Sequence, residues 1–198
     1  MKVQHTGRSG TMKQIMRERQ LEKLANIPFV TGKQKGHRVE QNLFTSRDWT
    51  GSRVIAVTVS KPPEIDTWGI VKRGWEEGKR MVVPRCLPKT RGMDFYALSD
   101  FGELEQVYYG LYEPRNGEAE PISLDQIDMM IIPGLAFTTG GYRLGFGGGY
   151  YDRILTGYKG TTISLAVDEQ LVEEIPVESF DLPVQKIITE SGIIHCGD

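Results

Sequence analysis

Along the chain, apolar positions switch between helical and extended spacing, and the alternation predicts an α/β fold. The first periodic stretch opens at Thr11, which with Gln14 three residues on makes a capping box for a helix through about Ala25, with Leu21 and Leu24 facing inward. Thr31 to Gly36 reads as a loop and His37 to Ser46 as a weak second helix. From Arg53 the pattern sharpens. Val54 to Val59 is a β-branched strand, and Ile65, Trp68, Val71 and Trp75 share one face of a helix over 65–77 that Gly78 can close. Met81 to Val83 is a short strand ending at Pro84, Met93 to Leu98 another, and Met129 to Ile132 a third ending at Pro133. Tyr150 to Leu155 opens a helix, and Thr162 to Val167 and Lys186 to Thr189 are the last strands. Apolar strands separated by helical stretches imply a mostly parallel sheet covered on both faces.

A chain of 198 residues suffices for one well-buried core. No repeat or linker divides it, so the expectation is a single domain over residues 12–198 behind a flexible extension over residues 1–11. The longest apolar run, Met129 to Phe137, is broken by Pro133 and Gly134 and falls far short of the roughly 20 residues of a membrane span. The N-terminus has no apolar segment followed by a small-residue cleavage site, which points to the cytoplasm. Cys86 and Cys196 lack C-x-x-C spacing and read as reduced thiols without a role, and His5, His37 and His195 show no zinc-ligand spacing.

Charge adds a direction. Residues 1–40 hold nine Lys or Arg against three Asp or Glu, whereas residues 99–130 hold one basic residue and eight acidic ones. Lys13 and Arg17, at i and i+4, can reach one polyanion together or form a solvated helix face. Gly140, Gly141, Gly145, Gly147, Gly148 and Gly149 fall within ten residues, after a strand that ends at Pro133-Gly134. In open α/β sheets ligands bind beyond such strand ends, and bare glycine backbone lets N–H groups approach phosphate oxygens ahead of a helix N-terminus. No Gly-Lys-Ser or Gly-Lys-Thr follows, and Tyr150 stands where a dinucleotide fingerprint needs its third glycine, so both of those motifs are excluded. A flexible hairpin is the bland alternative; Arg143 before the loop and Asp152 after it favour phosphate and a metal ion.

Arg143-Leu144-Gly145-Phe146-Gly147-Gly148-Gly149-Tyr150-Tyr151-Asp152, preceded by Pro133-Gly134-Leu135-Ala136-Phe137, resembles the signature of the 5-formyltetrahydrofolate cyclo-ligase family, also called 5,10-methenyltetrahydrofolate synthetase. Further similar stretches are Lys13-x-x-x-Arg17, Glu64-Ile65-Asp66-Thr67, Val83-Pro84-Arg85, Met93-Asp94-Phe95 and Tyr109-Gly110-Leu111-Tyr112-Glu113-Pro114, and the resemblance spans about residues 12–190. It implies a three-layer α/β/α sandwich with a mostly parallel central sheet. It implies ATP binding by Lys13, Arg17, Arg143, Leu144, Gly145, Phe146, Gly147, Gly148, Gly149, Tyr150 and Tyr151. Val59 and Glu64, with Phe146 to Tyr150, would line the folate site; Asp152 and Asp181 would hold Mg²⁺; Arg143 and Tyr150 would stand at the reacting centre. Taken alone, Glu64 after Pro62-Pro63 could simply offset a helix dipole, and Tyr150 and Tyr151 could be core aromatics.

The implied reaction is ATP- and Mg²⁺-dependent closure of 5-formyltetrahydrofolate to 5,10-methenyltetrahydrofolate, acting on small molecules alone, as a monomer. Two alternatives stand beside it: a catalytically silent nucleotide- or folate-binding relative, and an RNA-binding module built on the basic arm and paired tyrosines. The overall net charge of −2, less the +6 of residues 1–40, leaves −8 over residues 41–198, which opposes a phosphate backbone.

Overall fold

The computed structural model describes residues 6–115 and 120–197. Helices α1 (Thr6–Ala25), α2 (Phe29–Phe44) and α3 (Arg47–Gly51) precede β1 (Val54–Val57), α4 (Trp68–Glu76), β2 (Arg80–Leu87) and β3 (Gly92–Ala97). A small hairpin of β4 (Leu104–Gln106) and β5 (Tyr112–Pro114) leads to β6 (Met129–Ile131), and a second hairpin of β7 (Ala136–Phe137) and β8 (Arg143–Leu144) leads to α5 (Tyr150–Leu155). The chain ends through β9 (Thr161–Leu165), β10 (Lys186–Thr189) and β11 (Gly192–His195).

The main sheet has the order β11-β10-β9-β6-β1-β2-β3. Its five inner strands run parallel, and β11 and β3 close the edges antiparallel. Alternation along each strand divides the core in two. Ile55, Val57, Met81, Val83, Met129 and Ile131 face Val39 and Leu43 of α2, Trp49 of α3, and Ile70 and Val71 of α4. Ala56, Val82, Met130, Ile132 and Ile187 face Phe137, Ile122 and Leu155 of α5. The result is the expected three-layer α/β/α sandwich. Helix α1 stands apart from both layers: Leu24 packs on Leu135 and Val167, and Met16 on Ala136, Leu144 and Ile175.

Four expectations change. The first helix begins at Thr6, so Thr11 lies inside it, and Gln14 bonds Glu18 at 3.3 Å instead of closing a capping box. Residues 6–11 of the expected flexible extension therefore belong to α1, and 1–5 lie outside the described residues. Thr31 to Gly36, read as a loop, is helical within α2. The two glycines there cost about 1 kcal/mol each in propensity, and tertiary contacts outweigh them: Val39 and Leu43 are fully buried, and Asn42 donates to Thr189 O at 2.7 Å. Strand β2 runs on through Pro84 to Leu87. Pro84 lies beyond Val82, the last residue that β1 pairs, so its missing N–H costs no bond to β1. Finally, Lys186–Thr189 is followed by β11, whose exposed and half-buried residues carry too little apolar signal to read as a strand.

Lys35 of α2 staples this arrangement. Its ammonium lies 2.5 Å from Glu169 Oε1 and 2.7 Å from Glu190 Oε1, joining α2 to the segments after β9 and β10. Burial pulls the Lys35 ammonium down, but its bonds to the two glutamates outweigh that and hold it above its ordinary value. Burial likewise raises Glu169, and the bond from Lys35 outweighs it, leaving Glu169 below the ordinary 4.5. Lys35→Met should therefore destabilise the fold at pH 7 by about 2 kcal/mol, between the values for exposed and buried pairs. Because Glu169 is depressed in the folded state, this contribution is present above its ordinary 4.5 and fades as the pH falls through the lowered value, closing the gap between wild type and variant. Urea unfolding of both proteins at pH 7 and in mild acid measures it, and equal stability at pH 7 would refute it.

Candidate active site

At the centre of the sheet β1 and β6 lie side by side, and the chain leaves them in opposite directions, from β1 to β2 and from β6 to β9. Their diverging connections leave a crevice beyond the carboxyl ends of the strands. Val57, Thr58, Ser60, Glu64, Ile65, Ile131, Ile132, Pro133, Gly134, Leu165 and Gln170 are among the residues lining a cavity of about 30 Å³ there. That is the floor of a site, not room for a whole ligand.

The floor is rigid. Thr67 N donates to Ser60 Oγ at 2.8 Å, Ser60 N to Thr67 Oγ1 at 2.9 Å, and Trp68 Nε1 to Ser60 O at 3.2 Å. These bonds fix the loop that carries Glu64 against the start of α4. Burial pushes the Glu64 carboxyl above the usual range, and the Lys61 N–H, donating at 3.2 Å, offsets part of this. On the opposite wall Gln170 Nε2 donates to Gly134 O at 3.0 Å, holding the end of β6.

Above the floor, the β7–β8 hairpin delivers the glycine-rich loop. Leu144 is buried beneath it, pairing with Ala136. Arg143, with only 4% of its side chain exposed, donates from Nη2 to Asp152 Oδ1 at 2.5 Å and from Nη1 to Leu182 O at 2.8 Å. It thus buttresses the loop from behind. Arg17 reaches across from α1, its Nε donating to Gly145 O at 2.8 Å. Gly147 has φ +102° and Gly149 φ +66°, a region side chains disfavour, and Gly149 caps α5. A Cβ at Gly147 would sit 3.6 Å from the Arg17 guanidinium carbon, whereas one at Gly145 would meet nothing within 4 Å. Phe146 projects half-exposed between them. Tyr150 and Tyr151 both pack partly against the core layer of Phe137 and Leu155, and Tyr151 bonds through its hydroxyl to Thr58 Oγ1. Burial raises the Tyr151 phenol above its ordinary range, so it stays protonated.

The remaining cation is Lys13, whose Nζ lies 2.7 Å from Asp181 Oδ2 and 3.5 Å from Glu178 Oε2. Asp181 Oδ2 also accepts from Glu178 N at 2.8 Å. Each of the two acids expected to hold a metal is therefore matched with a cation, Asp152 with Arg143 and Asp181 with Lys13. Among the described residues no group of three or more His, Cys, Asp or Glu gathers to hold a metal ion.

Residues 9–190 match the model of the 5-formyltetrahydrofolate cyclo-ligase family. The chain belongs to that family. It is 32% identical to the 5-formyltetrahydrofolate cyclo-ligase of Escherichia coli K12, over 80% of this chain and 89% of that one, and 30% identical to that of Mus musculus, over 77% and 80%. The solution structure of Aquifex aeolicus 5,10-methenyltetrahydrofolate synthetase superposes with a TM-score of 0.82 at 28% identity, covering 94% of each chain. A Mycoplasma pneumoniae 5,10-methenyltetrahydrofolate synthetase shares the fold at a TM-score of 0.70 and 21% identity. As a member of the cyclo-ligase family the chain is an enzyme, a ligase.

Against this background, Lys13, Arg17, Arg143 and the segment from Leu144 to Asp152 are brought together, with Asp181 joined to them through Lys13. Glu64 stands on the floor below. Val59 is buried in the core between Thr58 and Ser60, both of which line the cavity, and its backbone bridges Tyr112. Thr58, Ser60 and Gln170 of the site escaped the sequence reading; none belongs to a spaced motif. Burial, with Glu113 beside it, pushes the Cys86 thiol up to about 12, which leaves it unreactive at neutral pH. No helix among the described residues is long and apolar enough to cross a membrane.

The loop geometry separates two glycines that look alike in sequence. Gly147→Ala should cost about 1 to 2 kcal/mol because of its positive φ, while Gly145→Ala should be neutral within about 0.5 kcal/mol. Denaturant unfolding of the two variants checks this; equal stabilities would mean that the loop lacks the conformation described.

Proposed function

We propose that this chain catalyses the ATP- and Mg²⁺-dependent conversion of 5-formyltetrahydrofolate to 5,10-methenyltetrahydrofolate, releasing ADP and inorganic phosphate. What supports the reading is that Arg17 of α1 meets the backbone of Gly145 and Lys13 meets Asp181, while the half-buried Glu64 carboxyl lines the crevice beyond β1 and β6. Cationic side chains and bare glycine backbone suit a triphosphate. A half-desolvated carboxyl suits the amino-pyrimidine edge of a pterin, whose N–H groups it can accept. Family membership supports the same substrates.

The chemistry explains why both ligands need one crevice. An N5-formyl group is an amide, and its oxygen is a poor leaving group. Attack of that oxygen on the γ-phosphorus breaks the bond to ADP and leaves an imidoyl phosphate. N10 then attacks the formyl carbon and loses its proton, the C–O bond breaks, and phosphate departs from the closed ring. No protein nucleophile takes part. Lys13 and Arg17 hold the triphosphate, Arg143 keeps the loop and Tyr150 in place behind it, and the crevice brings N10 within reach of the activated carbon.

Asp152 and Asp181 offer the hard carboxylate oxygens that magnesium takes, one or two per ion alongside phosphate oxygens. Both fit that use: Arg143 bonds Asp152 through Oδ1 and leaves that side chain 23% exposed, and Lys13 can turn from Asp181 to an arriving triphosphate. When bound, the ion supplies positive charge to the transferring phosphoryl group.

Mixing the protein with Mg-ATP and 5-formyltetrahydrofolate should produce the near-ultraviolet absorbance of the methenyl product; binding of both ligands without product would leave a silent relative. Asp152→Asn should raise the magnesium concentration for half-maximal rate while leaving metal-free nucleotide binding equal or tighter, and an unchanged magnesium dependence would reduce Asp152 to a partner of Arg143. Glu64→Gln should weaken folate by roughly 1.5 to 3 kcal/mol, the loss of a charge-assisted hydrogen bond, with a smaller effect on ATP. Calorimetric titration of each ligand separates the two effects, and a larger loss for ATP would move Glu64 to the nucleotide side.

A further inference from the structure

The two halves of the crevice come from distant parts of the chain and meet at a side-chain hydrogen bond. Thr58 is the first residue beyond β1 and lines the cavity floor beside Glu64. Its hydroxyl bonds the Tyr151 hydroxyl, 93 residues away. Its carbonyl accepts from Thr67 Oγ1 at 2.7 Å, which ties it into the Ser60–Thr67 brace that holds the Glu64 loop. Tyr151 sits in the first turn of α5, between Tyr150 and Asp152, just behind the Gly149 cap. Asp152 in turn holds Arg143, which anchors to Leu182 O. The bond is part-buried, between two half-buried residues, where an unmade hydrogen bond is costly and the made one holds its partners firmly.

We propose that the Thr58–Tyr151 bond couples the folate and nucleotide subsites, with Thr58 as a positioning residue for the reaction proposed above, on which this inference rests. A folate seated on Glu64 immobilises the braced loop, and through the Thr58 hydroxyl it immobilises Tyr151, the cap of α5 and the glycine-rich loop. A nucleotide arriving next finds that loop already ordered and binds more tightly. By linkage, nucleotide tightens folate by the same factor. The device suits a reaction in which neither ligand is useful without the other. Thr58 needs only its hydroxyl for this, so serine preserves the coupling and valine, of nearly the same shape, abolishes it.

The test is calorimetric titration of the Mg²⁺ complex of β,γ-imido-ATP into the full chain, with and without saturating 5-formyltetrahydrofolate, reading the ratio of the two dissociation constants. In the wild type the folate should tighten nucleotide binding about fivefold or more, within the usual range of coupling between sites. Thr58→Val should bring the ratio close to one, and Thr58→Ser should restore most of it. Tyr151→Phe removes the same bond from the other side and should match Thr58→Val, which keeps the test usable if the valine variant folds poorly. The double variant should lose no more than either single one. A wild-type ratio of one, or a ratio in Thr58→Val equal to a coupled wild type, with both ligands bound, would overturn the coupling and leave the proposed function standing. Failure of the wild type to bind either ligand would overturn the proposed function together with it.

Discussion

Parallel strands β1 and β6 lie next to each other with their onward connections departing to opposite sides, and that arrangement leaves a gap no crossover can cover. Everything at the functional end of the molecule is arranged around this gap. The loop after β1 brings Glu64 and Thr58, and the loop after β6 brings Pro133 and Gly134 and then the β7–β8 hairpin with its glycine-rich continuation. Helix α1, which belongs to neither covering layer, lies over the same end and lends Lys13 and Arg17. The sheet supplies rigidity, and the loops at its carboxyl ends supply chemistry, which is the usual division of labour in this class of fold.

Charge at the site is balanced before any ligand arrives. Lys13 faces Asp181 and Glu178, Arg143 faces Asp152, and Arg17 is held by a carbonyl, so the crevice carries paired groups in place of a bare patch of either sign. Pairing of this kind keeps long cationic side chains ordered near where they act, lowering the entropy they lose on binding a polyanion. Each acid beside the glycine-rich loop is likewise screened by its own cation. Arg143, almost wholly buried, contributes mainly by holding the loop's shape, whereas Arg17 and Lys13 lie on a helix that meets the site from outside.

How much of this was legible in the sequence depended on distance along the chain. The glycine-rich loop, Arg143 and Asp152 lie within ten residues, and the helix pair Lys13 and Arg17 within five, so local spacing makes them candidates, and the longer pattern of the family resemblance decides against the solvated face and the flexible hairpin. The strand pattern was equally local, because a fully buried parallel strand is an unbroken apolar run. The first half of α2 was hidden since its glycines speak against helix, and the contacts that override them, from Val39, Leu43 and Lys35, reach partners up to about 150 residues away. Pro84 misled for a related reason: a proline ends a strand only where its N–H would have been used. The bond between Thr58 and Tyr151 had no spacing to betray it, for it exists only once the sheet has formed.

The central claim is that both substrates meet in the crevice between the ends of β1 and β6. Native-state hydrogen exchange, with and without 5-formyltetrahydrofolate and the Mg²⁺ complex of β,γ-imido-ATP together, tests it most directly. The account predicts new protection in the loop over 58–67, the segment 143–152 and α1, and none around Asp125, Asp128 and Lys159 at the opposite end of the sheet. Protection centred on that opposite end, with the 58–67 and 143–152 amides unchanged, would contradict it.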